Sequence, residues 1–218
     1  MMKKSGFWSM LLLSQLLGIY ALALLAFPQL GVPELIEKLS TAPVSMTSHF
    51  AGSGIALMIG PWLFLAGSRR RAWVHRYLGR LYMLGVLVGG AASIYMSPFA
   101  DGGVVAQTGF LMLAIFWIGS GYAAYRYARL RLIREHQRMM TINFALTFAA
   151  VTLRLYLPVG ALSGMAFETY YAAIAWLCWV PNILVAMWII PATASREARR
   201  TTPSQSKNPL VVTSYGQH

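Results

Sequence analysis

The chain has 218 residues, of which 57% are hydrophobic and only 11% charged, and its formal net charge is +12. A soluble domain of this size is about a quarter charged, so water is excluded as the solvent for most of this surface, and lipid takes its place. The basic excess is then a topology signal before it is a nucleic-acid signal, and no nucleic-acid partner is expected.

Taken in chain order, six stretches reach the ~20 apolar residues that cross a bilayer. The first, Phe7–Phe27, follows a short basic start. It contains Ala21-Leu22-Ala23, which looks like a cleavage site, but its apolar region exceeds the ~7–15 residues of a cleaved signal. It is read as an uncleaved helix. A proline-bearing connection, Pro28–Ser45, leads to the second span, Met46–Gly67. The motif RRRAWVHRYLGRLY separates it from the third, Leu78–Pro98. The fourth, Gln107–Tyr127, and the fifth, Met139–Ala161, enclose another arginine-rich loop, and Tyr170–Ile190 is the sixth. Lipid tolerates no open strand edge, so the fold class is an all-α transmembrane bundle with spans two to five as its core. Residues 1–191 form this domain. The polar stretch 192–218, rich in Ser and Thr and without apolar periodicity, is expected to be a disordered cytoplasmic tail.

All of the 18 lysines and arginines except Lys38 and Arg154 fall on one set of alternate connections. Glu34, Glu37, Asp101 and Glu168, of the six acids, lie on the other set or at its edge. The positive-inside rule places both termini and both arginine loops in the cytoplasm of a bacterial inner membrane. The arginines are mainly anchors of topology, and some touch anionic lipid head groups.

Each arginine loop carries a histidine just before the next span, in VHRYLGR and EHQRMM. His75 and His136 are 61 residues apart, and the same interval sets Gly60 on Gly121, Phe64 on Tyr125 and Arg70 on Arg131. That is a weak internal repeat of two parallel hairpins. On the fifth span His136, Asn143, Thr147 and Arg154 share one helical face, roughly 27 Å long. Polar residues in a span face protein, cofactor or water rather than lipid. His75, Gly79, Tyr82, Gly89, Ser93 and Met96 give the third span a similar face, and Gly85 with Gly89 makes a small-xxx-small pair for close helix approach. These two faces are expected to meet.

The segments HFAGSGIALMIGPWLF, HRYLGRLY and EHQRMM…NFALTFAAVTLRLYLP together resemble a bacterial family of predicted membrane proteins, domain of unknown function 2306. The likeness covers about Ser48 to Pro158. The family's second histidine motif usually reads His-Arg or His-x-x-Met-x-Arg, where this chain has His136-Gln137-Arg138-Met139-Met140. The resemblance implies a multi-span inner-membrane protein and brings no established activity. The histidine-bearing helices are also distantly similar in pattern to membrane b-type cytochromes and ferric reductases.

His75 and His136 have two open readings. They are paired axial ligands of a b-type haem, with Arg76 and Arg138 holding its acidic groups, or they are interfacial histidines bonded to backbone, lipid or each other. Copper or zinc lacks a third and fourth ligand nearby in sequence. His49, near the start of the second span, has Met96 as its one plausible mate for a second site. Arg154 either snorkels to the head groups or is a counter-ion for a haem propionate, a quinone or a lipid phosphate. No acid lies in a span, which argues against a carboxylate-based proton-coupled transporter. Cys178 is alone in an apolar run, and no Walker loop, GxGxxG or HExxH occurs. Two functions stand: a haem-binding or quinone-linked redox protein with a partner subunit, and a cofactor-free carrier or assembly protein. Whether it is an enzyme is open.

Overall fold

The computed structural model describes residues 4–201, and helix is the only regular structure among them. Ten α-helices follow in order: α1 (Lys4–Ala26), α2 (Pro33–Thr41), α3 (Pro43–Leu63), α4 (Ala66–Arg70), α5 (Ala72–Met96), α6 (Gly103–Arg129), α7 (Ile133–Thr147), α8 (Ala149–Leu162), α9 (Phe167–Leu177) and α10 (Val180–Thr201). The stretch expected to be a plain connection, 28–45, is instead largely helical. Pro33 and Pro43 stand at the first position of α2 and α3, where the missing N–H costs nothing and the fixed φ favours a helix start. Leu35 and Leu39 of α2 pack against Ala21, Leu24, Met46 and Phe50.

Solvent preference is inverted relative to a soluble protein. Leu162 is 88% exposed and Trp188 80%, while Asn143 and Ser14 are fully buried. Apolar surface on this scale belongs against lipid. Five helical segments are long and apolar enough to cross a bilayer: Ser5–Ala26, Ala72–Phe99, Gly103–Arg129, Ile133–Leu162 and Phe167–Ile190. The expected second span is not among the five. Its helix, α3, is diluted by His49, Ser53, Gly52, Gly54, Gly60 and Pro61, and most of these face protein.

The closest helix pair is α3 against α5. A Cβ at Gly52 would stand 2.5 Å from the backbone N of Gly89 and 2.7 Å from the Gly85 carbonyl, and one at Gly85 would stand 2.6 Å from the Gly52 carbonyl. Backbone meets backbone, so only glycine fits. The small-residue pair on α5 therefore meets another helix, as expected, and that helix is α3. Gly79, assigned to the same face, has open space around it.

Two expected spans are each broken once. Between α7 and α8 the helix breaks at Phe148, and between α9 and α10 at Cys178–Trp179. Pro181 explains the second break, because it has no N–H for the carbonyl of residue 177. Asn182 stitches both: its Nδ2 shares two protons among the Ala145 carbonyl at 3.2 Å, the Cys178 carbonyl at 3.0 Å and Thr152 Oγ1 at 3.0 Å. Helix α10 runs on to Thr201, past the expected tail start at Ala192, because Ala192, Ala194, Glu197 and Ala198 are good helix formers. The remainder of that tail and residues 1–3 lie outside the described residues.

Candidate functional sites at the two ends and the centre of the bundle

At the end that carries the arginine loops, His75 and His136 sit within the first turn of α5 and α7 rather than ahead of their helices. Their positions match: His75 N–H donates to the carbonyl of the N-cap Arg71 at 3.1 Å, and His136 N–H to that of the N-cap Leu132 at 2.9 Å. The two imidazoles lie within electrostatic range of one another, with Arg69 also near His75. His136 Nδ1 is 2.9 Å from the Ala124 carbonyl. A carbonyl only accepts, so Nδ1 carries a proton, and in the neutral ring Nε2 keeps its lone pair. His75 Nδ1 is buried and has no hydrogen-bond partner among the described residues. Arg76 and Arg138 are exposed and join no ion pair there.

Beneath the histidines is a closed polar cluster that the sequence indicated only in part. The Tyr82 hydroxyl donates to Asn143 Oδ1 at 2.6 Å and lies 2.8 Å from Thr147 Oγ1. Trp117 Nε1 donates to Thr147 Oγ1 at 2.8 Å. Asn143 Nδ2 spends its two protons on the Trp117 carbonyl at 2.6 Å and Ser120 Oγ at 2.9 Å. Three helices, α5, α6 and α7, are joined with every side-chain donor satisfied. Asn143 and Thr147 were placed on an inward face by spacing alone. Trp117 and Ser120 were missed, because neither stands out in an apolar run.

The glycines on either side repeat this exchange. The ring of Phe144 fills the place a side chain would take at Gly60, and Met83 Cε would stand 2.9 Å from a Cβ at Gly121. Gly60 and Gly121 are 61 residues apart, and so are Met83 and Phe144, the same interval that separates Tyr82 from Asn143.

The opposite end holds the third group. His49 Nδ1 is 2.9 Å from Ser93 Oγ and 3.3 Å from the Gly89 carbonyl, and Ser93 Oγ itself donates to Gly89 at 2.8 Å. Met96, expected as its mate, packs instead against the cluster that contains Phe50 and Met46. His49, Ser53 and Arg154 line a cavity of about 20 Å³ together with Leu17, Phe50 and Ala150, room for about one water molecule. Arg154 does not join Asn143 and Thr147, because the break at Phe148 divides the expected stripe. Its Nη1 donates to the Ala150 carbonyl at 3.1 Å, and Tyr20 and Tyr171 lie within electrostatic range. Among the described residues the single ion pair is Lys38 with Asp101, at the surface.

A family of predicted membrane proteins, DUF2306, matches residues 46–190. The chain belongs to that family. The match takes in α3 to α9 and most of the apolar part of α10, so all three polar groups of this DUF2306 chain lie within it or beside it. No curated protein and no solved structure matches the chain.

Proposed function

We propose that this DUF2306 protein is a six-span inner-membrane protein that holds a b-type haem between His75 and His136 at its cytoplasmic end. A haem held there would exchange electrons with a quinol or a partner subunit. One observation carries the reading. The Ala124 carbonyl fixes His136 as the tautomer whose Nε2 lone pair is free, the arrangement usual for an iron-ligating imidazole, and His75 stands within range with a buried nitrogen that no described residue satisfies. A bound haem would supply one-electron chemistry. The chain's own residues orient the imidazoles, and the Tyr82–Asn143–Thr147 cluster closes the bundle below them against water. Arg76 and Arg138, each close in sequence to one of the histidines, would meet the acidic groups of such a ligand.

The sixth crossing is α3, whose 21 residues reach about 31 Å, enough for a hydrocarbon core of ~30 Å. Because its polar and glycine faces meet protein, it does not need the apolarity of a lipid-facing helix. Spans two to five then form two parallel hairpins related by a pseudo-two-fold axis along the membrane normal. The reciprocal pairs Gly60–Phe144 and Gly121–Met83 support that reading, as do the matched helix positions of His75 and His136. Both termini fall in the cytoplasm.

A cofactor-free carrier or assembly protein is the second reading. The full mutual satisfaction of Tyr82, Asn143, Thr147 and Trp117 favours it, since the centre needs no ligand. The absorbance spectrum of the purified protein separates the two. A Soret band and a reduced α-band of b type support haem binding, and their absence after expression with ample haem supply supports the cofactor-free reading.

A further inference from the structure

We infer that the cavity lined by His49, Ser53 and Arg154 is a second ligand site, for an oxygen of an anionic phosphate group, at the end of the bundle away from the arginine loops. It stands independently of the histidine pair at the other end.

The guanidinium carries five N–H donors in a planar fork. The hydrogen bond found for Arg154 uses one nitrogen, on the Ala150 carbonyl. No carboxylate pairs with it among the described residues, and the ionisable groups within its electrostatic range are Tyr20, Tyr171 and His49. Each of those is neutral in its ordinary form in such a setting or a further donor, so none balances the charge. A cation in a span is stable only with a counter-charge, water or a route to the head groups. Here the guanidinium reaches a cavity whose other polar lining is His49 and Ser53.

His49 suits the same ligand. With Nδ1–H directed at the Gly89 carbonyl and Ser93 accepting alongside, the ring's outer nitrogen is left for the cavity. Its Nε2 accepts the proton of a monoprotonated phosphate or of a water that bridges to the anion. The walls are apolar: Leu17 and Ala21 from α1, Phe50 and Leu57 from α3, and Ala150 from α8. A cavity of about 20 Å³, the room of about one water, admits one oxygen of the phosphate rather than the whole group. The remainder of the ligand must stay outside, among the lipid chains along α1 and α8 or in water.

The source of the anion is decided by three probes on the full-length protein in mild detergent at high salt, which screens the exposed arginines. Apparent affinity is read from the concentration dependence of thermal stabilisation by dioctanoyl phosphatidic acid, inorganic phosphate and dioctanoylglycerol. The expected result is stabilisation by the first, by the second, or by both, and none by the third. A shift with phosphatidic acid alone identifies a lipid head group, and an equal shift with inorganic phosphate identifies a free anion. Arg154→Gln should weaken that affinity at least about tenfold, as loss of a charge-assisted bond does, while Arg134→Gln, in an exposed arginine loop, leaves it unchanged. Should Arg154→Gln yield no folded protein, Arg154→Lys carries the test, keeping the charge but not the fork and binding several-fold more weakly. No shift with either anion, an equal shift with dioctanoylglycerol, or unchanged affinity in the Arg154 variant that folds overturns the site.

Discussion

Tyr82 donates a 2.6 Å hydrogen bond to Asn143, and their separation of 61 positions is also that of His75 and His136. Residues at equivalent places in two similar segments thus meet their own counterparts. The contact ties the weak sequence repeat to packing between α5 and α7.

Removing the Tyr82 hydroxyl tests that contact. Tyr82→Phe leaves Asn143 Oδ1 buried without its donor and should cost about 1–3 kcal/mol. Thr147→Val also strands Trp117 Nε1 and should cost a similar amount. The double variant should fall short of the sum, since the two hydroxyls share one network. Denaturant-dependent unfolding in mixed micelles measures all three.

Glycine substitutions separate close packing from open surface. Gly52→Ala pushes a methyl into the backbone of Gly85 and Gly89 and should reduce stability by at least the ~1–3 kcal/mol of an overpacked core. Gly79→Ala, in open space on the neighbouring helix, should be neutral or stabilising by up to about 1 kcal/mol through helix propensity. Equal effects at the two positions would mean that α3 and α5 are not in backbone contact.

The all-helical architecture and the lipid-facing surface were legible because composition and run length report solvent directly. The second span was harder to place. The residues that make α3 a good interior helix, Gly52, Gly60 and Ser53, are those that lower its apolarity. The stripe from His136 to Arg154 misled for a different reason, since periodicity assumes an unbroken helix. The break at Phe148 is held by Asn182, some thirty residues away, and no local signal records it. His49 found Ser93 rather than Met96 because the glycine contact brings α5 close enough for a short serine to reach the ring.

Asn182→Ala should therefore act at two distant places. It withdraws the donor from the Ala145 and Cys178 carbonyls together and should cost about 1–3 kcal/mol. Hydrogen exchange should rise around both Phe148 and Cys178. A rise near Cys178 alone would mean that Asn182 supports only its own helix.

The crossing of α3 sets the topology. If it spans, a tag at the N-terminus and a cysteine introduced at Arg71 label from the same side, and a cysteine at Asp101 labels from the other. Labelling of Arg71→Cys from the side opposite to the N-terminus would leave five spans and separate the two termini.

The most direct measurement on the proposed function is the reduced-minus-oxidised absorbance difference spectrum of the purified wild type, His75→Ala, His136→Ala and the double variant. The proposed pairing predicts a b-type spectrum in the wild type, the same loss of it in each single variant at normal folded yield, and no further loss in the double. A wild type without a chromophore, or a single variant with the wild-type spectrum, would contradict it.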